Sequence, residues 1–451
     1  MRVRNAAAVL GIFLATEPGR QLRVGSLVRD NAGVITFNVD PAYIALGAGR
    51  PIVSCAWKGA TEENSLARLA SKADKVMLGS LLPPFFENLL PEGALRELVE
   101  KELGAGDYDN FDVLTKLGGD LPGAIVAVLE AGEFPRHRAA GGVQAAPASD
   151  AVDVPTTKIR FSLAGIQLKF SMTQRSERLT VPTQDGTGEI ILKTPSMRDA
   201  FVSEAEFTAL TLARAAGVDV AEAWLVDPDA VDGIPERFLT GSARSLAVRR
   251  FDRGPEGRRI HIEDFAQIMG GIGDDKYTMG NDETMINIAG RFSSDRNGQI
   301  LEAMRRVLVN ILLGNGDAHL KNWSLMHRDG ETKLTPAYDV VPTFLFGDDT
   351  MALEFGNRRN PYIMGLSMVE GAARLTQINP KILLKEARRT VDLALDRWPD
   401  LLRDMPLPAD MRNRLLERLP KLRLVQDVRP SFTVAADYRD AGAATGSPSR
   451  G

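Results

Sequence analysis

Asp317, Asn322 and Asp339 are the residues whose types and spacing best suit chemistry. They lie in one region, Gly316–Asp317–Ala318–His319–Leu320–Lys321–Asn322 followed by Pro336–Ala337–Tyr338–Asp339. An aspartate can accept the hydrogen bond of an attacking hydroxyl. An amide oxygen five residues later can hold Mg²⁺, and a second carboxylate can bridge that metal to phosphate oxygens. Protein kinases space their catalytic aspartate and metal-binding asparagine by the same five residues. Here His319 stands two residues after the aspartate instead of two before, so the loop is not that of an ordinary protein kinase. Taken alone, Asp–x–x–x–x–Asn also describes a capped helix and a polar turn. The second aspartate and the hairpin before it make phosphoryl transfer the better reading.

The elements that must position these groups are legible. Ile300, Met304, Val307, Leu308, Ile311 and Leu312 recur at helical spacing, which predicts a buried helix leading into the loop. Gly314–Asn315–Gly316 stops that helix, because glycine and asparagine tolerate left-handed backbone. Arg328–Asp329–Gly330 separates Trp323–His327 from Glu331–Leu334, and an Asp-Gly between two short runs predicts a hairpin.

An upstream half is also present. Ile190–Ile191–Leu192–Lys193 ends an apolar strand on a lysine, whose ammonium group suits phosphate oxygens. Thirteen residues on, Glu206 shares a helical face with Ala209, Leu210 and Ala213 if 199–216 is a helix. A carboxylate on an apolar stripe is costly unless paired, and Lys193 is the natural partner, as in the strand-lysine to helix-glutamate ion pair of kinases. On spacing alone a solvated Lys193 and a boundary Glu206 fit equally well, and Glu204 is a rival carboxylate. Ser162–Leu163–Ala164–Gly165–Ile166–Gln167–Leu168–Lys169–Phe170 can close over phosphates or be a plain strand–turn–strand. It has one glycine, so it is neither a Walker A loop nor a Gly-x-Gly-x-x-Gly loop. Leu246–Arg253 reads as a strand leading into a connection, which can offer backbone groups to an adenine edge, and its charges can equally be ordinary surface.

Composition narrows the chemistry. Among 451 residues, Lys plus Arg is 55 and Asp plus Glu is 59, a formal net charge of −4. That near balance argues against coating nucleic acid or an anionic membrane by bulk charge. One cysteine, Cys55, forbids an internal disulfide and suits the cytoplasm. The four histidines, His137, His261, His319 and His327, are scattered. Zinc fingers, Cys-based redox pairs and H-E-x-x-H hydrolases are therefore excluded, and the metal to expect is a hard cation on oxygen ligands. No stretch reaches the ~18 apolar residues of a membrane span.

Residues 1–130 read as a small α/β subdomain, with strands Ala8–Ala15, Arg23–Val28 and Gly33–Phe37 and helices Ala94–Leu103 and Asn110–Leu117. Ala6–Ala15 is apolar after two arginines, but no small-x-small site closes it and Thr16–Glu17–Pro18–Gly19 reads as a turn. A buried strand is expected there rather than a signal-peptide core. Residues 131–157 turn Ala-, Gly- and Pro-rich, as a flexible linker does. Strands around one helix follow over 158–255, a mostly helical region over 256–434, and a small-residue tail over 435–451 that is expected to be disordered.

These motifs, in this order, resemble the HipA-type toxin kinases of bacterial type II toxin–antitoxin modules. Ser162–Lys169 is similar to the family's phosphate loop, and Leu192–Lys193–Thr194–Pro195 with Glu204–Ala205–Glu206–Phe207 to its lysine strand and glutamate helix. Val248–Arg249–Arg250–Phe251–Asp252–Arg253 looks like the hinge, and His261–Gln267 like the helix start beyond it. Gly316–Asn322 and Leu334–Asp339 match the catalytic and metal motifs. Val24–Leu27 and Phe86–Gly93 look like the small domain that precedes the kinase core.

The resemblance implies an α+β, two-lobed protein-kinase-like fold, with a β-rich N-lobe and a helical C-lobe after a small α/β subdomain. It implies ATP and Mg²⁺ as cofactors and Ser/Thr phosphorylation. It assigns catalysis to Asp317, Mg²⁺ to Asn322 and Asp339, and the ion pair of Lys193 to Glu206. ATP contacts fall to Lys193, Gly165, Gln167, Lys169, Phe251, Asp252 and His319, and autophosphorylation to Ser162. His319 is expected as a hydrogen-bonding group rather than a metal ligand. The substrate class implied is aminoacyl-tRNA synthetases. The partner implied is a HipB-like helix-turn-helix antitoxin, with operator DNA reached only through it and no membrane contact. A catalytically silent co-repressor and a small-molecule or lipid kinase are the alternatives. Two departures stand out: the hinge has Arg249–Arg250 where the best-known member has an acidic residue first, and 131–157 is longer than expected.

Overall fold

The computed structural model describes residues 7–103, 108–132, 168–175, 178–181, 188–239, 241 and 243–434. Ser162, Gly165, Gln167, most of the expected linker and the tail from 435 lie outside the described residues.

Strands β1 (Ala8–Glu17), β2 (Arg20–Arg29), β3 (Val34–Val39), β4 (Val76–Leu78) and β5 (Ile125–Ala131) form an antiparallel sheet in the order β4-β3-β2-β1-β5. β1 runs two residues past the expected end. The hairpin closes at Pro18–Gly19, with Glu17 opposite Arg20, because Gly19 adopts φ 70°. Leu10, Ile12 and Leu14 alternate onto the buried face, as the period of a strand requires. Helices α1 (Pro41–Ala45), α2 (Glu62–Ala70), α3 (Pro84–Glu87), α4 (Gly93–Leu103) and α5 (Asn110–Leu117) accompany this sheet. The Phe37 ring stacks on Trp57 with centroids 5.5 Å apart and meets Phe86 edge-on at 4.9 Å.

β6 (Lys169–Arg175), β7 (Arg178–Thr180), β8 (Ile190–Lys193), α6 (Val202–Ala215), β9 (Ala223–Val226), β10 (Val231–Asp232) and β11 (Ser245–Arg249) follow along the chain. α6 starts at Val202 rather than Asp199, because Phe201 is left-handed (φ 65°) and cannot continue a helix. β11 ends at Arg249 and the chain continues as the expected connection.

Two compact units result. The first takes the described residues up to Thr194 together with Asp227–Leu239 and Asp252–His261. It holds the five-stranded sheet and the run β10-β7-β6-β8. The second takes Pro195–Val226, Thr240–Phe251 and the chain from Ile262 onward. Its helices are α6, α7 (Phe265–Met269), α8 (Asp282–Phe292), α9 (Arg296–Leu313), α10 (Leu366–Leu375), α11 (Pro380–Arg403), α12 (Ala409–Arg418) and α13 (Arg423–Val428). β9 pairs with β11, and β12 (His261–Asp264), β13 (Ser324–Arg328) and β14 (Glu331–Leu334) form a small sheet.

The centre of the second unit is α9, whose Ile300, Met304, Val307, Leu308, Ile311 and Leu312 are all buried. Each such side chain contributes about 1.5–3 kcal/mol of transfer free energy, against the entropy of ordering the chain. α9 packs beside α8 and α11, and Trp398 of α11 donates its indole N–H to Leu212 O of α6 (2.8 Å). Among the described residues no helix is long and apolar enough to cross a membrane.

Candidate active site

α9 delivers the site. Its last turn is closed by Gly314 at φ 66°, where a Cβ would lie 2.7 Å from the Phe344 ring. Gly316 then passes so near other backbone that a Cβ would lie 2.4 Å from Thr350 O, and its N–H donates to Thr343 Oγ1 (2.8 Å). Between them, buried Asn315 donates from its N–H to Asn310 O (2.9 Å) and accepts from the Asp317 N–H through Oδ1 (3.3 Å). The chain therefore leaves the helix on a fixed path, and Asp317 emerges with 46% of its side chain exposed.

Tyr277, His319 and Asn322 lie around Asp317. The Tyr277 hydroxyl donates to Oδ1 (3.0 Å), and His319 Nε2 lies 3.9 Å from the same oxygen. Asn322 donates its side-chain N–H to the Asp317 main-chain carbonyl (2.8 Å), which turns its Oδ1 the other way. His319 is buried and takes the edge of the Tyr277 ring, centroids 5.0 Å apart.

The expected hairpin is present as β13 and β14, with Asp329 and Gly330 both at positive φ in its turn. It returns the chain to Ala337, whose N–H donates to Asp219 O (2.8 Å) and whose carbonyl accepts from the Ala221 N–H (2.9 Å). Asp339 follows at φ 55°, a left-handed backbone that costs free energy in any residue with a Cβ. Tyr338 lies with its hydroxyl 2.6 Å from Ser324 Oγ and donates to Lys321 O (3.0 Å). Burial pushes its phenol far above the ordinary value, the Ser324 hydrogen bond opposes this, and Asp264 and Asp339 add to it, so the group stays a neutral donor. Asn315, Asn322, Tyr338 and Asp339 border one cavity of about 20 Å³, room for a particle the size of one water. Arg306 borders the same space, and the asparagine amide oxygen and the aspartate carboxylate are the ligand types of a hard cation.

Of the upstream residues, Lys193 and Lys169 stand opposite one another in the β6–β8 register, and both are buried. Glu206 lies on the buried face of α6 with Ala209, Leu210 and Ala213, while Glu204 pairs with Arg244 (3.3 Å). Phe251 packs its ring on Tyr338, centroids 5.5 Å apart. Asp252 is engaged elsewhere: its Oδ2 accepts from the Gly123 N–H and from Arg253, both at 2.8 Å, and Arg253 also pairs with Asp120 (2.9 Å).

Sequence reasoning did not find Tyr277, Thr343, Glu302 or Arg306. Buried Arg306 donates to Glu302 (2.8 Å) and to Thr335 O (2.7 Å), and Glu302 accepts from the Asp219 N–H (3.1 Å). The pair thus holds both the segment of Ala337, at Thr335, and the segment beside it, at Asp219. Burial pushes the Glu302 carboxyl up, but Arg306 and then Arg305 outweigh it and hold the group below its ordinary value. Opposite charges four residues apart on α9 were the available signal. Tyr277 and Thr343 carried none.

Comparison with known proteins bears on the fold and the family. The structure of Shewanella oneidensis HipA, solved with HipB and operator DNA, superposes with a TM-score of 0.67 at 19% identity, covering 94% of this chain and all of that one. The class is thereby defined: a kinase-like α+β fold with a β-rich part and a helical part after a small amino-terminal domain. Residues 20–128 match the model of the HipA N-terminal domain and residues 161–398 that of the HipA-like C-terminal domain. "Putative kinase Y4dM" of Sinorhizobium fredii is 37% identical over 426 residues, 93% of this chain and 98% of its own length. The serine/threonine-protein kinase toxin HipA of Shewanella oneidensis is 26% identical over 290 residues, 58% of this chain and 64% of its own. The chain belongs to the HipA family.

Proposed function

We propose that the protein is an ATP- and Mg²⁺-dependent serine/threonine kinase that acts as the toxin of a type II toxin–antitoxin module in the cytoplasm. The observation that carries this reading is the convergence of Asp317, Asn322 and Asp339 at the end of α9, with Asn322 bonded to the Asp317 backbone and sharing a cavity with Asp339.

Asp317 is the base that accepts the hydrogen bond of the attacking hydroxyl, and its exposure admits that hydroxyl from solvent. Asn322 Oδ1 and Asp339 are the groups that would hold Mg²⁺, which supplies neutralisation of charge on the phosphates. Lys193 and Lys169 offer two ammonium groups to phosphate oxygens from adjacent strands, and Glu206 serves as the acidic partner of Lys193. Phe251 and His319 contact the nucleotide, with Gly165 and Gln167 on the phosphate loop. Asp252, whose Oδ2 accepts from the Gly123 N–H, is a further nucleotide contact. Ser162 is the autophosphorylation site. A phosphate there adds about −1.5 to −2 charge and repels the loop from ATP.

The Shewanella relative is named a kinase toxin, and the solved neighbour holds HipB and operator DNA. On that basis the partner is a small HipB-like helix-turn-helix antitoxin through which the operon is co-repressed. The acceptor, carried over from the family resemblance alone, is a translation component of the aminoacyl-tRNA synthetase class. The test is transfer of label from γ-labelled ATP to cell-extract protein, by the full chain and by Asp317→Ala. Transfer that Asp317→Ala abolishes supports the reading; no transfer by the unaltered protein overturns it.

A further inference from the structure

We propose that Tyr277 is a positioning residue for Asp317, a role that rests on Asp317 being the base. Asp317 is half exposed, and the terminal torsion of an aspartate is broad, so the carboxylate left alone samples many orientations. Its backbone is held on both sides, by Asn315 at its N–H and Asn322 at its carbonyl. The carboxylate plane is set separately from the backbone, and the Tyr277 hydroxyl reaches Oδ1 at 3.0 Å, the oxygen that His319 Nε2 approaches to 3.9 Å. A bond to an ionised acceptor is among the stronger hydrogen bonds.

Tyr277 is itself anchored, as a residue in this role must be. It ends a short 3₁₀ turn, Gly273–Tyr277. Arg359 donates to its main-chain carbonyl (3.0 Å) and also to Ala352 O (2.7 Å). Its ring meets His319 edge-on, 80° between planes, and His319 is buried in the same loop as Asp317. The hydroxyl therefore comes from a ring fixed at both its backbone and its edge. Fixing one carboxylate oxygen places the other, so the direction from which an acceptor hydroxyl must approach is set before substrate arrives. Orientation of this kind acts on the rate of the chemical step rather than on nucleotide binding.

The test is single-turnover phosphate transfer with Tyr277→Phe, which keeps the ring against His319 and removes only the hydroxyl. The maximal rate should fall about tenfold with the KM for ATP and the Tm unchanged. In an Asp317→Asn background the same change should have no further effect on the residual rate, because Tyr277 acts through Asp317. A Tyr277→Phe rate within about twofold of the unaltered protein, while Asp317→Ala abolishes transfer, would overturn this inference and leave the kinase reading intact. An equal fall in both backgrounds would overturn it too, by showing that Tyr277 acts independently of Asp317. No transfer by the unaltered protein would overturn both.

Discussion

The side-chain amide of Asn322 donates to the main-chain carbonyl of Asp317 at 2.8 Å. The residue proposed to hold the metal thus also holds the backbone of the residue proposed as base. Asn322→Ala should lower labelled-phosphate transfer by roughly ten- to a hundredfold, and raising Mg²⁺ should restore only part of it, because no metal replaces that hydrogen bond. Full recovery at high Mg²⁺ would show the tie to be dispensable.

Gly316 runs against backbone that cannot yield. In Gly316→Ala the new methyl group would lie 2.4 Å from Thr350 O and 2.7 Å from Thr343 Oγ1. The variant should lose about 1–3 kcal/mol of stability through overpacking, read as a lower denaturant midpoint. A midpoint equal to that of the unaltered protein would mean that the loop has room the geometry denies.

Arg306 is the buried cation that joins α9 to the strands around Ala337. Arg306→Met removes its bonds to Glu302 and Thr335 O but leaves Arg305 beside the Glu302 carboxylate (2.6 Å). Breaking a buried pair costs about 3–5 kcal/mol, and the remaining arginine places this case toward the low end. Glu302→Gln combined with Arg306→Met should recover part of the loss, since the buried carboxylate charge is gone and Arg305 keeps Glu386 (2.6 Å) as its partner. A double variant less stable than Arg306→Met alone contradicts this.

Asp282, at the start of α8, sets a pH dependence. Burial, and then the neighbouring Glu283, raise its carboxyl to about 8. In the unfolded chain it ionises near an ordinary value of about 3.9. Between these values the folded protein keeps a proton that the unfolded chain has released. The stability from this group is therefore fully present below about pH 4 and is lost as pH rises toward 8. Asp282→Asn stays neutral throughout, so its Tm advantage over the unaltered protein should widen from pH 5 to pH 8. A difference that stays constant over that range would sink the assignment.

The readable features were those whose partners lie close in the chain. The apolar spacing of Ile300 to Leu312, the glycine at 314 and the Asp329–Gly330 turn each act within a few residues, and the structure has all three. The five-residue step from Asp317 to Asn322 is of the same kind, and their hydrogen bond spans that step. Misplaced boundaries came from single backbone conformations that composition does not announce, such as left-handed Phe201 ahead of α6.

The sequence by itself determined the order of the motifs and the family likeness, because local propensity and residue type are properties of the chain. Only the tertiary structure decided that Tyr277 meets Asp317 across 40 residues, that Ala337 bridges to Asp219 and Ala221, and that Asp252 is spent on Gly123. A hydrogen bond between distant residues carries no periodic signature. It exists where packing brings a donor within about 3 Å of an acceptor, and packing is a property of the whole fold.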